Sequence, residues 1–158
     1  MPVVLARVDQ RLIHGLIVNQ WAQSLKAKRF MVVDDVVSQN EDLKASMRMS
    51  KPSGTGMSII NTEKAITNFK NGNYDAQRVF VLVKEPSKLL ELIDAGIEIP
   101  KVNLGIMFAE NGRTPVTKFI ALNDEEKADI KKIQEKGIPV TVQYVPADPE
   151  EDITKYLK

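Results

Sequence analysis

VFVLV, residues 79–83, is apolar at every position and β-branched at three of them. A strand with one wet face alternates apolar and polar residues, so an unbroken apolar run marks a strand covered on both faces, as in a parallel sheet between helices. Working outward, related runs recur as VVLARV (3–8), FMVVD (30–34), MSII (57–60), KVNL (101–104) and VTVQYV (140–145). Segments of helical period fill the gaps. Residues 15–26 bring Ile17, Trp21, Ser24 and Leu25 to one face, Ser38 or Asn40 can cap a helix holding Leu43 and Met47, and Thr62 can cap one holding Ala65, Ile66 and Phe69. Further helices fit Ser87 to Ala95, ended by Gly96, and Asp124 to Lys136, between Asn123 and Gly137, with a last short one bearing Ile153, Tyr156 and Leu157. The alternation predicts an α/β fold: three α/β/α layers around a mostly parallel central sheet of six or seven strands. FAENGRTPVTKFIAL (108–122) interrupts it, and Asn111-Gly112 predicts a hairpin there that adds an antiparallel edge to the sheet.

A chain of 158 residues without repeats or linkers reads as one domain, residues 1–158, which buries roughly 70% of its unfolded surface. It has no cysteine, which excludes disulfides, thiolate metal sites and a cysteine nucleophile and suits a reducing compartment. MPVVLARVDQR at the start reads as a buried strand, not a signal peptide. No run approaches the roughly 20 apolar residues that span a bilayer, so membrane association is expected through a partner. The net charge of +1 comes from interspersed signs, which argues against a nucleic-acid surface.

The chemistry concentrates in VDQRLIHG, residues 8–15, which leaves the first strand and enters a helix near Gly15. Open α/β sheets bind ligands at the carboxyl ends of their strands. His14 is the one histidine of the chain. A neutral imidazole is a good nucleophile toward phosphorus, and an unperturbed histidine is largely neutral near pH 7. Amides of Gly15 and Leu16 at the helix start offer donors to a phosphoryl group, and the absent side chain of Gly15 allows close approach. Arg11 supplies a planar fork for two phosphoryl oxygens. Asp9 either accepts a hydrogen bond from the imidazole nitrogen that does not attack or orients Arg11; the sequence leaves both open. By spacing alone, a histidine flanked by Leu12, Ile13 and Gly15 is more often a satisfied, partly buried side chain.

RVDQRLIHG followed by a helix resembles the active-site loop of the IIB component of the mannose and sorbose family of the bacterial sugar phosphotransferase system, whose loops read much like R-I-D-x-R-L-I-H-G-Q. The likeness extends through Trp21, the aspartates of FMVVDD, VNLGIM, the NGRT turn and Asp148-Pro149, nearly the whole chain. The resemblance implies a cytoplasmic phosphocarrier enzyme, peripherally associated with membrane components. His14 would accept a phosphoryl group, at Nδ1, from a phosphohistidine on a IIA partner and donate it to a sugar delivered through IIC and IID, without metal or cofactor. Arg11 and Asp9 would take supporting roles. Gln10 and Leu16 depart from the pattern, which often has a second acidic residue and a glutamine there. The identity of the sugar and homo-oligomerisation stay open.

Two other classes compete. One is a receiver-like signalling domain phosphorylated on an aspartate, suggested by Asp34-Asp35 and by Lys84 with Pro86; the order of these groups along the strands is wrong for it, and solvated carboxylates at a strand exit suffice. The other is a non-catalytic α/β binding module with a structural His14. KPSGTG (51–56) lacks the spacing of a phosphate-binding loop and reads as a turn, with Lys51 and Thr55 in solvent. Met47, Met49, Ile106, Met107 and Phe108 offer a soft docking surface near the strand ends, with core packing preferred for Met47 and Phe108.

Overall fold

Five of the apolar runs form β1 (Val3–Asp9), β2 (Arg29–Val33), β3 (Gly56–Ile60), β4 (Val79–Val83) and β5 (Val102–Ile106). The chain closes with β6 (Thr114–Pro115), β7 (Ala121–Leu122), β8 (Val140–Val142) and β9 (Glu151–Asp152). The computed structural model describes residues 2–157, and its main sheet has the order β3-β2-β4-β1-β5-β8-β9, parallel except for β9. The helices are α1, a π-helical turn over Ile17–Trp21 running into Ala22–Leu25, then α2 (Glu41–Met49), α3 (Thr62–Lys70), α4 (Pro86–Asp94) and α5 (Asp124–Glu135).

The connections explain the layers. From β1 the chain steps to β2 and β3 toward one edge, and from β3 it returns through β4 and β5 to β8. Parallel crossovers are right-handed, so reversing direction swaps the face on which the helices cross. Ile17 and Trp21 of α1 pack with Leu5, Phe30, Val32, Phe80 and Leu82 on one face, where Met47 of α2 leans on them. Ala65 and Phe69 of α3, Leu89 and Leu92 of α4, and Ile130 and Ile133 of α5 pack with Ala6, Val8, Val81 and Val83 on the other. β1 therefore lies between β4 and β5, whose helices cross opposite to its own, and its carboxyl end opens at the reversal point where open α/β sheets bind ligands.

The local expectations hold with physical exceptions. α5 carries the full capping box, Asn123 accepting from the Glu126 N–H and Glu126 returning to the Asn123 N–H. Asn40 caps α2, but α3 is capped by Asn61, one residue before the expected Thr62. Ser24 is exposed, since a π turn advances less per residue and rotates position 24 off the buried face. VTVQYV pairs only as far as Val142, because the Gln143 carbonyl is taken by side chains of β1 and β5. Asn111 and Gly112 do form a turn, both with positive φ, but the antiparallel ladder comes after it, Thr114–Pro115 with Ala121–Leu122 in a separate two-stranded sheet. The antiparallel edge of the main sheet is β9 instead. Among the described residues, no helix is long and apolar enough to cross a membrane.

Candidate active site

β1 ends at Asp9 and the chain turns at once. The Leu12 N–H donates to the Asp9 carbonyl at 3.0 Å and the Arg11 N–H to Asp9 Oδ1 at 2.9 Å, so the aspartate side chain reinforces the backbone turn. Leu12 takes φ 57°, a left-handed conformation that costs a side-chain-bearing residue about 1–2 kcal/mol. Its side chain is buried against the α1 face, worth about 1.5–3 kcal/mol, which offsets the strain. That anchor carries the chain back toward the sheet and sets His14 over Asp9.

His14 Nε2 lies 2.8 Å from Asp9 Oδ2. An ionised carboxylate only accepts, so Nε2 donates and Nδ1 keeps the lone pair. The imidazole is well covered, with 6% of the side chain exposed, while Arg11 and Gly15 beside it are exposed. The Ile17 and Val18 N–H groups both bond to the His14 carbonyl, at 3.0 and 3.2 Å, so Gly15 and Leu16 head the helix with amides that lack an intrahelical acceptor. Of the predicted residues, the structure brings Asp9 and His14 into contact and places Gly15 and Leu16 next to them. Arg11 reaches Asp9 only through its backbone.

The cation that does bind Asp9 is Arg7, the first residue of RVDQRLIHG, to which the sequence alone assigns no role. Arg7 is fully buried on the α1 face of β1. Its Nε donates to Asp9 Oδ2 at 3.0 Å, and its Nη1 to Asn103 Oδ1 at 2.7 Å and the Gln143 carbonyl at 3.0 Å. The guanidinium lies 5.0 Å from the Trp21 ring centroid, and Trp21 Nε1 donates to the Tyr144 carbonyl at 3.0 Å. Gly105 provides the floor: a Cβ there would stand 2.0 Å from Arg7 Cζ. Burial pulls the Arg7 pKa down against the opposing charge of Asp9, and the guanidinium still stays protonated. Burial alone would push the Asp9 carboxyl up; the hydrogen bond with His14 and the charge of Arg7 outweigh it and hold Asp9 below the ordinary carboxylate value. The signal available in the sequence was the arginine itself, a permanent charge inside a strand otherwise read as buried.

Gln10 ties the loop to the β5 exit, its N–H donating to the Ile106 carbonyl at 3.0 Å and its Oε1 accepting from the Phe108 N–H at 2.8 Å. Beside it a cleft of about 240 Å³ opens between Gln10, Lys84, Phe108 and Arg113. The core preference for Phe108 fails: it is 43% exposed, while Ile106 and Met107, beside Gly105, are buried. Asp34 and Asp35 are not simply solvated. Asp34 accepts the Val36 and Val37 N–H groups, and Asp35 accepts from Thr62 and Lys88, which pins α3 and α4 to the β2 exit. A larger hollow of about 710 Å³ between Asp35 and Asp42 is acidic and distinct from the β1 loop. Among the described residues, no three His, Asp or Glu side chains cluster closely enough to hold a metal ion. Lys51 and Thr55 bond within their own turn, at the amino end of β3 and away from His14.

Residues 3–158 match the family described as PTS system sorbose subfamily IIB component. The chain belongs to that family. This IIB chain is 32% identical over 158 residues to the PTS system fructose-specific EIIB component of Bacillus subtilis, covering 100% of this chain and 97% of that one. It is 30% identical over 150 residues to the PTS system mannose-specific EIIAB component of Escherichia coli, covering 95% of this chain and 46% of that protein. The crystal structure of the IIBSor domain of the sorbose permease from Klebsiella pneumoniae superposes with a TM-score of 0.95 at 27% identity, covering 99% of this chain and 96% of that one. As a family member the IIB chain is a phosphotransfer component of a sugar phosphotransferase system. The receiver-like and simple binding readings fall away with that membership.

Proposed function

We propose that residues 1–158 act as a single IIB domain in which His14 accepts a phosphoryl group at Nδ1 from a phosphohistidine on a IIA partner and passes it to a sugar presented by IIC and IID membrane components. The observation that carries this reading is the 2.8 Å contact of His14 Nε2 with Asp9, because it leaves the lone pair on Nδ1. In the first transfer Nδ1 attacks phosphorus in line, the donor N–P bond breaks, and its electron pair returns to the donor imidazole. The acceptor ring then carries positive charge shared with Nε2–H, which the Asp9 carboxylate stabilises in place. Arg11, exposed and free to swing, binds two phosphoryl oxygens, and the Gly15 and Leu16 amides bear the third. In the second transfer a sugar hydroxyl attacks phosphorus, its proton passes to water, the N–P bond breaks and its electron pair returns to Nδ1.

The joined EIIAB name of the Escherichia coli relative supports a IIA donor for this chain as well. The lack of a membrane-crossing helix among the described residues supports a cytoplasmic domain recruited by its partners. Incubation with phosphoenolpyruvate, the general phosphotransferase proteins and a IIA domain labels the wild-type chain in an acid-labile, base-stable form and leaves His14→Ala unlabelled. Equal labelling of the two proteins sinks the proposal.

A further inference from the structure

Resting on His14 as the phosphoryl acceptor, we infer that Arg7 is a positioning residue for it: through Asp9 it dictates which imidazole nitrogen carries the proton, and Gly105 is the residue that makes room for it.

An arginine in the middle of a buried strand has no packing reason to be there. Arg7 and Asp9 are both fully buried, and the fold tolerates Arg7 Nη2 with no hydrogen-bond partner among the described residues. A permanent charge kept under those conditions serves a site more readily than stability. Every contact of Arg7 fixes the direction of its fork. Asn103 Nδ2 donates to the Gln143 carbonyl at 3.1 Å, which turns its Oδ1 to face Arg7 Nη1. Trp21 covers the guanidinium, and the bare Cα of Gly105 lies where any Cβ would collide with Cζ. Held this way, Nε meets the same Asp9 oxygen that meets His14.

The consequence follows from donor and acceptor counting. While Asp9 is ionised it can only accept, so His14 must carry its proton on Nε2 and expose the Nδ1 lone pair. The groups facing this pair are few: Arg7 from β1, Arg11 through its backbone N–H, the uncharged Asn103 from β5 and Trp21 from α1, and Tyr144 from the β8 exit, which acts on Arg7. Among the described residues, Arg7 is thus the one full positive charge set permanently against Asp9. Without it the buried carboxyl takes up a proton, as a desolvated acid does. A protonated Asp9 donates to Nε2, the imidazole proton moves to Nδ1, and the nitrogen that should attack phosphorus is blocked.

The test is imidazole ¹⁵N NMR on the unphosphorylated protein, which needs no partner and so separates this inference from the phosphotransfer reading. Wild type should show Nε2–H. Arg7→Gln should shift the main population to Nδ1–H, Arg7→Lys should restore Nε2–H, and Gly105→Ala should shift it as Arg7→Gln does with the arginine still present. In transfer assays Arg7→Gln should slow phosphorylation by up to roughly 10⁴-fold, the loss seen when a triad histidine is held in the wrong tautomer. Nε2–H persisting in both Arg7→Gln and Gly105→Ala overturns the inference. Should Arg7→Gln not fold, Gly105→Ala decides alone. Failure of His14 to be labelled at all, with the tautomer responding as stated, rejects the phosphotransfer reading and leaves the positioning role intact.

Discussion

Arg7 and Arg11 stand on either side of Asp9 and both donate to it, one through its guanidinium and the other through its backbone. Arg7 is sealed beneath Trp21 and fixed by three acceptors; Arg11 is exposed at the tip of the turn. On the proposed mechanism the difference separates two jobs that one residue cannot combine. A group that sets the state of a nucleophile must be immobile and dry, where its charge is screened least. A group that follows a phosphoryl from one partner to the next must move.

The largest effect expected from breaking this contrast is on folding. Arg7→Ala leaves Asp9 buried without its cation and should lower unfolding free energy by about 3–5 kcal/mol in urea titrations, whereas Arg11→Ala should stay within about 0.5 kcal/mol. Equal midpoints for the two variants would erase the distinction. Next comes catalysis: Arg11→Lys keeps the charge but loses the fork, and transfer from IIA should slow about tenfold, about 1.4 kcal/mol, with an unchanged urea midpoint.

Acid should sharpen the same comparison. The folded Asp9 carboxyl lies below its unfolded value of about 3.9, so its contribution is complete above that value and is lost as pH falls through the folded pKa. Wild type should therefore lose more stability than Asp9→Asn as the pH falls below about 4. A parallel loss in both would mean that Asp9 is not held ionised by its neighbours. The smallest effect is expected at Asp35, whose carboxyl is also lowered, chiefly by the Thr62 N–H and then by Lys88, but whose side chain is 52% exposed. Asp35→Asn should cost under about 1 kcal/mol.

How much of this was legible follows from what each residue advertises. The five long strands were readable because Val, Ile, Leu and Phe crowd them, and α5 because Asn123 and Gly137 bracket it. β9 was not, since Glu151–Asp152 is short and charged and pairs only through β8. The Asn111-Gly112 turn was seen, but its strands were misjudged because a turn signal says nothing about which residues pair beyond it. At the site, position and resemblance single out His14, Asp9 and their loop as candidates, and the structure brings His14 and Asp9 into contact. The choice between two roles for Asp9 needed the distance to Nε2. Leu12 gave no sign of its left-handed backbone, and Arg7 shares a strand with residues that hide it.

Trp21 is the only tryptophan in the chain, and its indole lies between the Arg7 guanidinium and a bond to the Tyr144 carbonyl. The protein thus carries a single tryptophan fluorophore, linked to His14 through two charged groups, Arg7 and Asp9. Any step that shifts Arg7 changes the field across that ring, so light emission from the unlabelled chain reports the condition of the site as partners come and go.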